Sequence, residues 1–240
     1  MNKEWISIKE HEFRACCSLG NDEPVNIKQL LLKLNILTLY KHVSEDFSGM
    51  CLKRGENRFI LVNSNHSRGR QHFTIAHELY HLFIQKEFKT HLCNPGFNKQ
   101  PQEQEADFFA SVFLMPEMGM KRMIPEKELL AKDVSLATIL KLEHYFSVSR
   151  SALLIRLEAL KLIGKARYDE LKAIPVIRSA VEYGYDLSLY RPGNENLVVG
   201  DYGVKAKLLF DDDKISEGHY VELLSRIGID PTKQPEEDAI

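Results

Sequence analysis

The sequence predicts an α+β protein: a small sheet packed on a helix, then an all-helical stretch, then a mixed C-terminal region. Three observations predict it. Short apolar runs separated by a polar, glycine-containing turn lie between Ile36 and Asn63. A helical stretch from Ser67 to about Lys86 contains His77-Glu78-Leu79-Tyr80-His81, an HExxH motif. Helical periodicity then runs from Glu126 to Ile163, beyond which strand-like and helix-like segments mix.

Each element follows from local chemistry. Asn26 is placed to cap a short helix through Leu34, with Ile27, Leu30, Leu31 and Leu34 on one face. Ile36 to His42 reads as a strand. Gly49 to Lys53 and Arg58 to Asn63 read as two more, joined through Arg54-Gly55-Glu56-Asn57, a hairpin signal. Ser67 is the expected N-cap of the HExxH helix. Pro101 and Pro116 bracket the next helix, Gln102 to Met115. Ser135 and Ser149 head two further helices on either side of a Phe146-Ser147-Val148 turn. Asp186 to Tyr190 and Asn196 to Val199 read as strands, and Ser216 heads a last helix to about Ile227. Pro231 to Ile240 is polar and proline-containing and is expected to fray. The expected units are residues 1-125, 126-165 and 166-240.

Composition narrows the class. The chain has 240 residues, 44% hydrophobic and 28% charged, which excludes collagen-like, low-complexity and wholly disordered chains. With 32 basic and 34 acidic residues the net charge is -2, which argues against a protein that coats polyanions. No apolar run is long enough to span a membrane, and Met1 to Glu10 has no signal-peptide core, so a cytoplasmic location is expected. The four cysteines, at 16, 17, 51 and 93, form no CxxC pair and read as free structural thiols. The run Asp211-Asp212-Asp213 reads as a solvated turn.

The HExxH segment carries the chemistry. Positions i and i+4 share a helical face, so His77 and His81 can aim two nitrogens at one metal ion, Zn2+ in this pattern. Glu78 is placed to meet a metal-activated water rather than the metal. Zinc lowers the pKa of such a water to about 7, and a carboxylate can take its proton during attack on a carbonyl. A bland alternative is a helix with two surface histidines.

A catalytic zinc site needs a third protein ligand. Glu103, Glu105 and Asp107 compete for that role on the next helix. Ala106, Phe109, Ala110 and Phe113 form its apolar stripe, and Glu103 lies on that stripe. A carboxylate on a buried face is costly unless paired or metal-bound, so Glu103 is the expected ligand. Glu105 is expected to be solvated. Asp107, one turn past Glu103, is placed to orient a ligand histidine.

Five separated motifs make the chain recognisable. They are Asp46-Phe47-Ser48-Gly49; Phe59-Ile60-Leu61-Val62-Asn63; Phe73-Thr74-Ile75-Ala76 leading into His77-Glu78-Leu79-Tyr80-His81; Glu103 with Ala106, Phe109 and Ala110; and Leu114-Met115-Pro116. In order and spacing they resemble the ImmA/IrrE family of zinc metallo-endopeptidases, over roughly residues 25-165. The Glu126 to Ile163 segment also looks like that family's helical region, and Gly203 to Ile229 looks like a C-terminal element of some members. The resemblance implies a zincin-like core, a gluzincin-like active site and a cytosolic protease that cleaves helix-turn-helix repressors. On that pattern His77, His81 and Glu103 are the ligands and Glu78 the general base. The chain departs from common family residues at Tyr80 and His72, neither of which is a ligand position.

Two further expectations concern partners. Phe59 to Asn63 is either a plain core strand or the strand that pairs with an extended substrate backbone. Ser135 to Tyr145 and Ser149 to Lys161 look like a helix-turn-helix. Their second helix offers Arg150, Ser151, Arg156 and Lys161, but also Leu153, Leu154, Ile155, Leu157 and Leu160, mostly a packing surface. Direct DNA binding is therefore not expected. The leading reading is an endopeptidase acting on a repressor or antitoxin. The alternative is a DNA-binding or zinc-stabilised regulatory protein with a non-catalytic metal site.

Overall fold

The computed structural model describes residues 1–86, 100–230 and the backbone of 91–93. The expected fraying of Pro231 to Ile240, and the side chains of His91 and Cys93, lie outside the described residues.

An α+β architecture is observed. A helix not foreseen from the sequence, α1 (Lys3–Cys16), opens the chain, and Asn2 caps it by accepting from the Trp5 N–H at 3.1 Å. Next comes α2 (Ile27–Lys33), capped by Asn26 accepting from the Gln29 N–H. Then follow β1 (Ile36–Lys41), β2 (Gly49–Arg54) and β3 (Asn57–Asn63). The β2–β3 hairpin turns through Gly55 and Glu56, and Gly55 takes the left-handed φ of +57° that the tight turn needs.

The HExxH helix is α3 (Arg68–Phe83). It stops short of Lys86 because Ile84 and Gln85 both donate backward to the Tyr80 carbonyl. Ser67 stands at its N-cap, but its side chain makes no capping bond. A short strand, β4 (His91–Cys93), precedes α4 (Pro101–Leu114), which starts on its proline as expected. Pro116 does more than end α4: it also heads α5 (Glu117–Met123).

Helices α6 (Glu126–Ala131), α7 (Leu136–Phe146) and α8 (Arg150–Ala159) follow, then α9 (Lys165–Ala173) and α10 (Val176–Glu182). Ser135 and Ser149 cap α7 and α8 as expected. Asp186 to Tyr190 is not a strand. Its last three residues form a 3₁₀ turn, because Tyr190 and Arg191 bond back locally rather than to a neighbouring strand. The strand at 196–199 shrinks to β5 (Val198–Val199), before α11 (Tyr202–Asp211) and α12 (Glu217–Ser225), which Ser216 caps. Asp211, Asp212 and Asp213 are exposed at the intervening turn.

Among the described residues five strands form one sheet, ordered β4-β2-β3-β1-β5. β1 runs parallel to β3, and the other pairs are antiparallel. Tyr40, Val62 and Gly49 line up across the sheet, as do Thr38, Ile60 and Cys51, all buried on one face. Helix α3 lies against β2 and β3, α4 packs on α3, and α1 packs on α4. Gly49 makes the close approach of α3 possible, since a Cβ there would stand 2.5 Å from Thr74 Cγ2 and 3.0 Å from the Leu61 carbonyl.

Buried Arg14 ties α1 to α4, donating to the carbonyls of Gly20, Glu23 and Phe113. One apolar core runs from Ile6 to Val199, and a smaller cluster gathers Ala206, Leu224 and Ile227. Cys17 and Cys51 are buried, and burial pushes the Cys17 thiol up, away from the reactive thiolate. Among the described residues no helix is long and apolar enough to cross a membrane.

Candidate metal centre

Residues 77, 78 and 81 sit in the middle of α3, with all neighbours from Thr74 to Leu82 buried. The helix is sandwiched between the sheet and α4, so side chains at i and i+4 on its α4 side meet α4 directly. There His77 Nε2 and His81 Nε2 lie 3.1 Å apart. Glu103, in the first turn of α4 and only 6% exposed, brings Oε2 to 3.3 Å from His77 Nε2 and Oε1 to 3.6 Å from His81 Nε2. All three side chains are buried and could hold a metal ion.

The two contacts to Glu103 match the spacing of tetrahedral ligands, and the two imidazole nitrogens stand slightly closer. Metal–ligand bonds of about 2.0–2.2 Å place tetrahedral ligand atoms roughly 3.3–3.6 Å apart. The donor set, two imidazoles and one carboxylate, is the kind that leaves a fourth position for water or substrate.

Hydrogen bonds orient both imidazoles. His77 Nδ1 donates to Asp107 Oδ1 at 2.8 Å, and His81 Nδ1 donates to Gln85 Oε1 at 2.5 Å. Each bond fixes the tautomer that leaves the Nε2 lone pair facing Glu103. Asp107 thus stands where the sequence placed it, with its side chain 36% exposed. Gln85 was not foreseen, although it repeats the i+4 step from His77 to His81.

Glu78 is fully buried, and its carboxylate borders Gly49, where an added Cβ would lie 3.5 Å from Oε1. The hairpin therefore supplies the wall beside this carboxylate. Glu105 is not simply solvated: it accepts a 2.7 Å hydrogen bond from the Tyr80 hydroxyl. Burial, and then that bond, push the Tyr80 phenol well above its ordinary range. The hydroxyl is thus committed to Glu105. His72 is committed elsewhere as well, donating from Nδ1 to the Ser147 carbonyl at 2.8 Å.

The expectation for Phe59, Ile60, Leu61, Val62 and Asn63 as a substrate strand needs correction. This segment is central in the sheet, paired with β1 on one side and β2 on the other. A strand paired along both edges has no free ladder for a substrate backbone. Asn63 instead anchors the 43–47 loop: Nδ2 donates to the carbonyls of Ser44 and Phe47, and Oδ1 accepts from the Val43 and Asn65 N–H groups.

The basic residues of α8 are spent internally. Arg150 is buried in an ion pair with Glu143 and also donates to Ser179 Oγ. Arg156 is buried and donates to the Met115 carbonyl. Leu153, Leu154 and Leu157 are buried with them.

The Peptidase_M78 model, described as the IrrE N-terminal-like domain, matches residues 33–158, from just before β1 to the end of α8. The match covers just over half of the chain and takes in His77, Glu78, His81 and Glu103. No curated protein matches the sequence.

Proposed function

This chain belongs to the Peptidase_M78 family, and from that premise we propose that it is a zinc-dependent endopeptidase that cuts one specific protein partner. The observation that carries the reading is the convergence of His77 Nε2, His81 Nε2 and the Glu103 carboxylate, with buried Glu78 on the same helix. Zinc held there would polarise a scissile carbonyl and acidify a water molecule. Glu78 takes the proton of the attacking water and returns it to the leaving amine. Asp107 and Gln85 keep the two imidazoles aimed, so the site needs little rearrangement on loading.

The partner we infer is a helix-turn-helix repressor or an antitoxin, which rests on the resemblance of the five sequence motifs to ImmA/IrrE proteases. In this reading residues 1-125 form a zincin-like peptidase unit, 126-165 a helix-turn-helix-like docking scaffold and 166-240 an accessory region, in a cytoplasmic protein. The internal use of Arg150 and Arg156 speaks against the alternative of a DNA-binding regulator, because a reading helix needs free basic side chains.

The test is incubation of the purified, zinc-loaded protein with candidate helix-turn-helix repressors and antitoxins, starting with any encoded beside its gene, followed by mass spectrometry of the products. Discrete fragments that vanish with a chelator are expected. An intact repressor beside fully loaded protein, under every inducing condition, would leave a regulatory metal site as the better reading.

A further inference from the structure

At the start of α3, away from the histidine–glutamate cluster, lies a cavity of about 510 Å³. It is walled by the start of α2, by Tyr40 of β1, by Arg68 and His72 of α3, by the end of α7 and by the 186–199 segment. That volume suits a small-molecule site.

Arg68 is the distinctive group on its wall. Its Nε is buried without a hydrogen-bond partner, and no ion pair reaches its guanidinium among the described residues. The side chain lies flat on the backbone at Gly193, where an added Cβ would stand 2.9 Å from Nε and 3.1 Å from Nη2. A guanidinium cannot discharge itself, so a sheltered one without a counter-ion is costly. Its position as the first residue of α3 adds the positive end of a 16-residue helix to its charge.

Two neighbours extend the same chemistry. Tyr40 is 4% exposed, and burial pushes its phenol up to about 12, so the hydroxyl keeps its proton. No described residue accepts from it. His72 lies one helical turn from Arg68 and uses Nδ1 on Ser147, which leaves Nε2 as its second ring position. Burial and the charge of Arg68 hold His72 below its ordinary range. An anion seated on Arg68 would cancel that opposing charge. Across the cavity, Asp186 is exposed and kept ionised by hydrogen bonds from Ser188. Lys28 also lines the cavity, so with Arg68 and Asp186 the wall carries two positive charges and one negative, a balance that suits a ligand with one anionic group.

We propose that this cavity binds a small molecule through one carboxylate or phosphate group, gripped by the Arg68 guanidinium with Tyr40 as a second donor. The site is distinct from the metal cluster, and its occupation does not depend on the peptidase reading.

Isothermal titration of the full chain with inorganic phosphate and, separately, acetate tests this at constant ionic strength, with chloride as the control. At least one probe should bind saturably with one site per chain. Phosphate alone identifies a phosphate group, and acetate alone a carboxylate. Arg68→Gln should weaken binding about tenfold or more, since a charge-assisted bond is lost. Asp186→Asn, at an exposed position that leaves the fold intact, should tighten it. No saturable binding of either probe overturns the proposal. So does a folded Arg68→Gln variant of parental affinity.

Discussion

Asp107 Oδ1 stands 2.8 Å from His77 Nδ1, so a carboxylate on α4 holds the imidazole of α3 in one tautomer. The same helix brings Glu103 one turn earlier to the Nε2 side of that ring. Asp107→Ala should therefore keep the fold but lower metal affinity about 10–100-fold. Competition titration against a chromophoric chelator measures it, and parental affinity would deny Asp107 its orienting role.

Glu103 and Glu105 should separate cleanly. Glu103→Ala removes the proposed third ligand and should lose the metal on dialysis. Glu105→Ala should retain it, yet lose about 1–3 kcal/mol of stability because the buried Tyr80 hydroxyl loses its acceptor. Metal analysis and urea unfolding of both variants give the comparison. Metal loss in Glu105→Ala but not in Glu103→Ala would reverse the assignment.

Gly49→Ala tests the fit between the sheet and the metal helix. The new methyl would meet Thr74, a stiff β-branched side chain, and the Leu61 backbone, neither of which can swing away. Overpacking of this kind costs about 1–3 kcal/mol. Cleavage should fall as well, because the displaced wall borders Glu78. A variant as stable and active as the parent would show that the approach is not tight.

The buried pair of Glu143 with Arg150 joins α7 to α8, and Tyr190 donates to the same carboxylate. Glu143→Ala would strand Arg150, which is 4% exposed, and should destabilise the chain by about 3–5 kcal/mol. Chemical denaturation reads this directly. A loss under 1 kcal/mol would mean that water reaches Arg150.

Much of the site was legible in sequence because helical periodicity fixes geometry. The i, i+4 spacing of His77 and His81, and the place of Glu103 on an apolar stripe, required only that two helices pack face to face. Caps at Asn26, Ser135, Ser149 and Ser216 were legible because a short polar side chain before an apolar run has one local use. Strand order was not. Nothing local tells β3 that β1 will pair with it in parallel, so the sequence left Phe59 to Asn63 open between a plain core strand and a substrate-pairing one, and it is the middle of the sheet. Tertiary hydrogen bonds were equally hidden: the Tyr80–Glu105 link and the Gln85 support of His81 depend on how α3 ends and how α4 crosses it.

We infer that Glu78 is the general base of a metal-dependent peptidase. Glu78→Gln keeps the size of the side chain but cannot accept a proton. The direct measurement is repressor cleavage by parent and variant at equal metal content, in the same co-expression or purified assay. Unchanged metal loading and cleavage slower by about 10²–10⁴-fold are expected. Cleavage at the parental rate by fully loaded Glu78→Gln would contradict it.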